Sequence, residues 1–344
     1  MTAWALTSLG DHLPDPKTGA QMSQGDRHRQ IIDLAVEAEH LGARSVHIGE
    51  HHFCDYIVSS PVLVLTAIAG LTERLRLSTA VTLLAHPDPV AIAEQWATLD
   101  VLSAGRAEMI VGRGVVPALY EQYGQDHADS RQLVADNIEL LRLLWSGDEV
   151  TWRGDFRAGL DGVTLAPRPV QLGGPPIWVS VSSSESVAEA VRFGSPAAIP
   201  LVSTGFDRGA ELVQEYRHRW AEVGRPAEDA VAAVNIHCHV SERSDAREYW
   251  APYQFEYLRW VVRLVKGLDI PLDQARSFWA TLDPPDAQAV CGSPEEVVDR
   301  LGEFAQAAGG VDIWLYQGDQ GGLEQEVTLE SLHLFAEEVV PKLI

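Results

Sequence analysis

Cysteine is scarce in this chain of 344 residues. Its three cysteines, Cys54, Cys238 and Cys291, lie far apart and form no CxxC pair. That excludes a disulfide-stapled scaffold and fits a reducing compartment. Positive charge is scarce too: 26 Lys and Arg stand against 49 Asp and Glu, a net charge of −23. A polyanionic partner needs a basic face, so nucleic acid and an anionic membrane surface are disfavoured as partners. No apolar run approaches the ~20 residues of a membrane span. The first residues lack the basic and apolar segments of a secretory signal. The dinucleotide fingerprint GxGxxG is also missing, because Gly112-Arg113-Gly114 runs on into Val115-Val116-Pro117. These absences predict a cytoplasmic protein with neither a nucleic-acid nor a membrane partner.

The remaining composition, 46% hydrophobic, suits a sizeable core. Along the chain short β-type runs alternate with amphipathic helical stripes. Ala3 to Leu6, Ser45 to Gly49, Leu75 to Leu84, Ala107 to Val111, Ile177 to Val181, Ala197 to Val202, Val231 to Val240 and Val311 to Tyr316 read as strands. Helical stripes lie between them, for example Ile31, Leu34, Ala38 and Leu41, or Val134, Ile138, Leu141 and Trp145. Ser60 before Pro61 and Ser293-Pro294-Glu295-Glu296 read as helix starts. About eight strand–helix pairs predict a (β/α)8 TIM barrel; the rival is a doubly wound open sheet. The whole chain, 1–344, reads as one barrel domain with insertions at about 149–171 and 241–290. Glu149 to Gln171 is rich in Gly and Pro and reads as a hairpin and loop. Val265 to Val290 shows weak periodicity, carries Pro271, Pro284 and Pro285, and reads as a long excursion or lid.

In such a barrel the chemistry sits where strands end. Three polar clusters follow predicted strands: Glu50-His51-His52-Phe53, Gly112-Arg113-Gly114 and Ser182-Ser183-Ser184-Glu185-Ser186. Histidine can move protons near neutral pH. Arginine offers a planar donor fork for phosphate. Hydroxyls at a helix N-terminus can hold an anion. Alone, each has an ordinary structural reading: a loop histidine, a turn arginine paired with a surface carboxylate, and routine N-capping. Together they suit a small phosphate-bearing ligand beside a reacting centre, and Arg131 after Ser130 adds a second positive charge. Zinc is the competing reading of the histidines, but HExxH is missing and adjacent histidines point apart. His237-Cys238-His239 puts two histidines on one strand face, as in metal-dependent hydrolase barrels, without an accompanying Asp or Lys. No metal site is predicted.

The stretch TAVTLLAHPDPVAIAEQWATLDVLSAGRAEMIVGRG, Thr79 to Gly114, resembles the bacterial luciferase-like flavin-dependent monooxygenases. So do Glu50-His51-His52-Phe53, Pro176-Ile177-Trp178-Val179 leading into the serines, and GSPEEVVDRL from Gly292 to Leu301. The likeness covers nearly the whole chain and is weakest between Ser241 and Val290. It implies a TIM barrel, usually a homodimer, that binds reduced FMN or the deazaflavin F420. It implies Arg113, Ser183 and Ser186 at the flavin phosphate, Arg131 and Ser182 also at the flavin site, and Ala80-Val81 joined by a cis peptide beneath the flavin ring. His51 aligns with the luciferase catalytic histidine. Two positions depart from the pattern: Gly112 replaces the luciferase reactive cysteine, and Ser182 replaces a glutamate; either implies another substrate or more room near the flavin ring.

The resemblance therefore implies a monooxygenase that uses FMNH2 and O2, through a C4a-peroxyflavin, to oxygenate a small organic substrate. A separate NAD(P)H:flavin reductase would supply the FMNH2, and His51 would handle protons. Two alternatives remain open: an F420-dependent oxidoreductase of the same superfamily, and a non-catalytic flavin-binding homologue.

Overall fold

The computed structural model describes residues 2–271, 273–274 and 289–343. Its strands are β1 Ala3–Ser8, β2 Ser45–Ile48, β3 Arg76–Thr79, β4 Thr82–Leu83, β5 Met109–Gly112, β6 Val150–Trp152, β7 Leu160–Val163, β8 Ile177–Ser180, β9 Ala197–Pro200, β10 Ala232–Val240, β11 Ala289–Gly292 and β12 Ile313–Gln317. All but β6 and β7 lie in one parallel sheet in the order β3-β2-β1-β12-β10-β9-β8-β5-β4, with β11 added to the end of β10. Leu77 of β3 bridges to Ala107 just before β5, which closes the ring. The run Leu75 to Leu84, expected as one strand, is two: β3 and β4 are separated at Ala80-Val81, whose peptide is cis. Counted as one position, they give the eight positions of a TIM barrel, as the strand–helix alternation predicts.

Two shells of apolar side chains follow from strand alternation. Leu6, Val46, Ile48, Leu77, Met109, Ile177, Ile199 and Val234 are buried against the surrounding helices. Ala5, Ile110, Trp178, Ala198, Ala233, Ile313 and Leu315 fill the barrel interior as a separate cluster. Trp178, which could have faced either way, therefore faces inward. The same alternation carries β5 inward from Glu108 through Ile110 to Gly112, from a charged base through an apolar plug to a small-residue mouth.

The predicted capping box at Ser293 and Glu296 is present, with both side chains closing on the other residue's backbone N–H. Ser60 stands at the start of the helix Pro61–Ala69, but its hydroxyl makes no cap bond. Its ψ of 74° lies off the extended conformation that aims a cap oxygen into the first turn.

Glu149 to Gln171 does contain a hairpin, β6 antiparallel to β7. It begins and returns at the N-terminal end of the barrel, away from the mouth. There Asp100, fully buried, accepts from Val170 N (2.7 Å), Gln171 N (2.9 Å) and Gln171 Nε2 (2.7 Å).

Ala246–Lys266 is a helix of 21 residues that runs through Pro252. Most of the lid expected over 265–290 lies outside the described residues. Among the described residues no helix is long and apolar enough to cross a membrane.

Candidate active site

The C-terminal ends of the strands surround a cavity of about 930 Å³. Every site residue expected from the sequence lines it: His51, Ala80, Val81, Arg113, Arg131, Ser182, Ser183 and Ser186. They arrive from four separate strand ends, so the barrel brings the clusters together.

At one end stands Arg113, directly after β5. Its Nη1 donates to Ser130 Oγ at 3.2 Å, and its backbone carbonyl accepts from the Tyr120 hydroxyl. Among the described residues no carboxylate lies within 4 Å of its guanidinium. At the same end is the start of the helix Ser184–Phe193. Ser183 and Ser186 form a capping box there, and Ser186 Oγ accepts from Ser182 N (3.1 Å) and Ser183 N (3.0 Å). The routine capping role is therefore real, and it holds both hydroxyls at the cavity wall. Ser184 turns away, donating to Glu215 at 2.8 Å.

Arg131 does not add an unopposed charge. Its Nη1 lies 2.8 Å from Glu189 Oε1, and its Nη2 3.9 Å from Glu185 Oε2 and 3.5 Å from Ser183 Oγ. The pair is partly solvated and is worth at most about 1 kcal/mol, but it cancels most of the field Arg131 would project. The positive end of the cavity rests on Arg113 and the helix terminus.

Between the two ends lies a floor of small residues, Ala80, Val81 and Gly112. A Cβ built on Gly112 would meet Val81 Cγ2 at 2.7 Å. The space expected from glycine at the reactive-cysteine position is therefore already filled by Val81.

At the far end His51 follows β2. Its ring stacks on Tyr56 with centroids 4.2 Å apart, and Trp260 presents an edge to it at 6.2 Å. Burial, and next the neighbouring His52, lower its pKa from 6.5 to about 4. Nδ1 is buried beside the Leu9 backbone without closing an ordinary hydrogen bond, which leaves Nε2 as the nitrogen that can meet a ligand. Glu50 turns outward to structure: it takes His52 Nε2 at 3.0 Å and Leu83 N at 3.1 Å. Phe53, at φ 56° and 78% exposed, carries the chain out over the rim.

A buried network supports this end. Arg27, fully buried, lies 3.1 Å from Asp11 and 3.0 Å from Asp319. One cation facing two carboxylates leaves a surplus negative charge, and burial pushes Asp319 up to about 6. The Asp11 loop pairs with the segment that carries Tyr56, through Ile57 N to Gly10 O (2.9 Å) and His12 N to Asp55 O (2.8 Å).

Sequence reasoning missed the contribution of the helix Ala246–Lys266. Tyr257, Trp260, Val261 and Leu264 line the His51 end of the cavity from that helix. The stripe Trp250, Tyr253, Tyr257, Trp260 and Leu264 has helical spacing and could have revealed it. Among the described residues no group of three His, Cys, Asp or Glu side chains could hold a metal. His237 and His239 instead pack on Tyr257 and Trp250 of that helix, at 4.5 and 5.6 Å.

A family model described as luciferase-like monooxygenase matches residues 7–311. The chain belongs to that family. Among luciferase-like relatives, 4-hydroxyprotoasukamycin monooxygenase of Streptomyces nodosus subsp. asukaensis is 27% identical over 90% of this chain and 85% of its own. The oxygenase component of the flavin-dependent trigonelline monooxygenase of Acinetobacter baylyi is 26% identical over 93% and 91%. The crystal structure of the monooxygenase RslO1 from Streptomyces bottropensis superposes with a TM-score of 0.84 at 25% identity, covering 98% of this chain and 99% of that one.

Proposed function

We propose that this chain is the oxygenase component of a two-component flavin-dependent monooxygenase, taking reduced FMN from a separate NAD(P)H:flavin reductase and oxygenating a small organic substrate. The observation that carries this reading is Arg113, free of any described carboxylate, at the same end as a serine-capped helix terminus in the cavity that holds His51. A phosphate fits that end, because it takes donors from a planar guanidinium and from a helix start. A flat ring fits the floor of Ala80, Val81 and Gly112. Reduced FMN, when bound, supplies the electrons that activate O2.

The chain's own residues do the rest. Arg113 and the Ser182–Ser186 turn anchor and orient. The aromatic side chains over His51 exclude water. His51 enters neutral at pH 7, since its pKa is near 4. The neutral ring offers Nε2 as a hydrogen-bond acceptor and takes up a proton only transiently, because a pKa near 4 makes it a weak base at pH 7.

The fold's three cysteines are all free, which fits a cytoplasmic location. Exposed Leu63, Val101 and Leu102 on two neighbouring helices fit a homodimer, which sedimentation would test.

Titration under nitrogen with FMNH2, FMN and F420 tests the cofactor. The expected result is saturable binding of FMNH2, followed on admission of air by slower reoxidation than free FMNH2 shows. Binding of reduced F420 alone would transfer the site to hydride chemistry. Arg113→Ala should weaken FMNH2 affinity at least about tenfold, and Arg131→Ala less than about threefold, because its charge is already paired. Equal dissociation constants for Arg113→Ala and the wild type would remove the phosphate role.

A further inference from the structure

The cavity is large for one ligand. Small-molecule sites run roughly 300–1,000 Å³, and this one reaches about 930 Å³. With a phosphate-bearing cofactor at Arg113, the His51 end is left as a second compartment. Its wall is Leu9, Tyr56, Val202, Tyr257, Trp260 and Leu264. We propose that this compartment takes an uncharged, ring-bearing apolar substrate, with Trp260 as the side chain that determines specificity; the inference rests on the flavin reading only for where the reaction occurs.

Charge is the first argument. The ionic groups at this end are already matched: Arg263 pairs with Asp55 at the rim, and Glu50 is bound to His52 and Leu83 N. A charged substrate would lose its water and find no described counter-ion. The second argument is shape. Tyr56 and Trp260 meet at 3.8 Å and 82°, while His51 lies stacked on Tyr56. These rings form a right-angled corner. A flat ring gains face and edge contact there at once, whereas an alkyl chain gains only area. The third is polarity. His51, Cys54, Ser203 and the hydroxyls of Tyr56 and Tyr257 are the uncharged polar groups lining this end, enough to direct a hydroxyl or carbonyl of a mostly apolar molecule.

Equilibrium dialysis on the full chain tests this with three probes: 2-naphthol, 2-naphthoate and 1-decanol. The wild type should bind 2-naphthol at least about tenfold tighter than 2-naphthoate. Trp260→Ala should weaken 2-naphthol about tenfold but 1-decanol less than about threefold, and Trp260→Phe should restore 2-naphthol to within about threefold of wild type. Val261→Trp, which fills the compartment from the same helix, should exclude 2-naphthol while leaving FMN affinity unchanged; it keeps the test valid if Trp260→Ala unfolds. Equal binding of naphthoate and naphthol, an unchanged naphthol affinity in the Trp260→Ala protein, or no saturable naphthol binding would overturn the proposal. Arg113→Ala separates the two readings, because it should leave naphthol binding intact. If that variant also keeps its flavin affinity, the cofactor reading fails and the ring compartment stands.

Discussion

The two ends of this barrel treat buried polarity in opposite ways. At the N-terminal end Glu108, 1% exposed, is held by Arg44 at 2.8 Å and Arg76 at 2.7 Å. Burial works to raise its pKa, but the two guanidinium groups win and hold the carboxyl below its ordinary value. Asp100 takes three donors beside it. At the C-terminal end, among the described residues, Arg113 has no carboxylate, His51 Nδ1 and both nitrogens of His239 have no ordinary hydrogen bond, and Gln320 is unsatisfied at both side-chain atoms. Arg27 with Asp11 and Asp319 is the exception, and it braces loops rather than facing the cavity. A closed network stabilises and does nothing else. Unsatisfied groups persist only where a ligand or a conformational task offsets their cost. The comparison predicts that changes at the mouth act on chemistry and changes at the base act on stability.

The largest expected effect is at His51. His51→Ala should lower turnover by about 100-fold or more, the usual loss when a positioned acid–base group is removed. Flavin affinity should stay within about threefold, because His51 stands at the opposite end of the cavity from Arg113. Rapid-mixing turnover and anaerobic flavin titration of the same variant measure the two quantities. Unchanged turnover would take His51 out of the mechanism.

Acid should come next, and it should loosen the mouth before the base. His51, His237 and His239 all have pKa values near 4, lowered chiefly by burial. An unfolded histidine titrates near 6.5. Between those values the unfolded chain holds more protons, so stability falls as pH falls through that window. Asp319, pushed up to about 6, and Asp11, also raised by burial, act in the opposite sense over part of the range, but they are two groups against three. All three histidines touch rings of the helix Ala246–Lys266 or of Tyr56. At the base His47 is also lowered to about 4 in spite of the nearby Glu108 carboxylate, so the base carries one such histidine against three at the mouth. Glu108 itself has a lowered pKa, so its contribution is present above the ordinary carboxylate range and fails only at lower pH. Hydrogen-exchange protection factors, which divide out the slower intrinsic exchange in acid, should fall from pH 7 to pH 5 more in 246–266 and β10 than in β5 or 170–171. Earlier loss of protection at β5 would contradict the ordering.

The same division explains what could be read from the chain. The strands were legible because parallel barrel strands are continuous apolar runs of standard length. Most of the cavity's polar lining was legible because it follows strand ends and carries recognisable phrases, such as Glu50-His51-His52-Phe53; Arg131, on a helix, was legible only through the resemblance. The break at Ala80-Val81 was hidden by β-branched residues on both sides, which suit one strand as well as two. Helix Ala246–Lys266 was missed because Pro252 reads as a breaker and because this stretch resembles the family least, although its aromatic spacing was regular. The pairing of Arg131 with Glu189 depends on two elements 58 residues apart and has no local signal. Tertiary placement decided which of two similar arginines remained available.

The smallest effect on the site should come from the base. Asp100→Ala removes the acceptor for Val170 N, Gln171 N and Gln171 Nε2, where the Glu149–Gln171 stretch returns to the barrel. Gln171 keeps its bond to the Ala107 carbonyl at 2.6 Å and its bond from Arg76 at 3.2 Å, so the return should stay in place. The loss should be about 2–3 kcal/mol, the cost of leaving backbone donors unpaired at a half-buried site. A denaturant melt should show that loss, while flavin affinity and turnover at 25 °C stay at wild-type values. The hairpin's length and composition invite a functional reading, but its anchor Asp100 is a satisfied group at the base of the barrel. A drop in flavin affinity comparable to that of Arg113→Ala would show that the apolar plug of Ile110, Trp178 and Leu315 transmits strain from base to mouth, and the division between the two ends would fall.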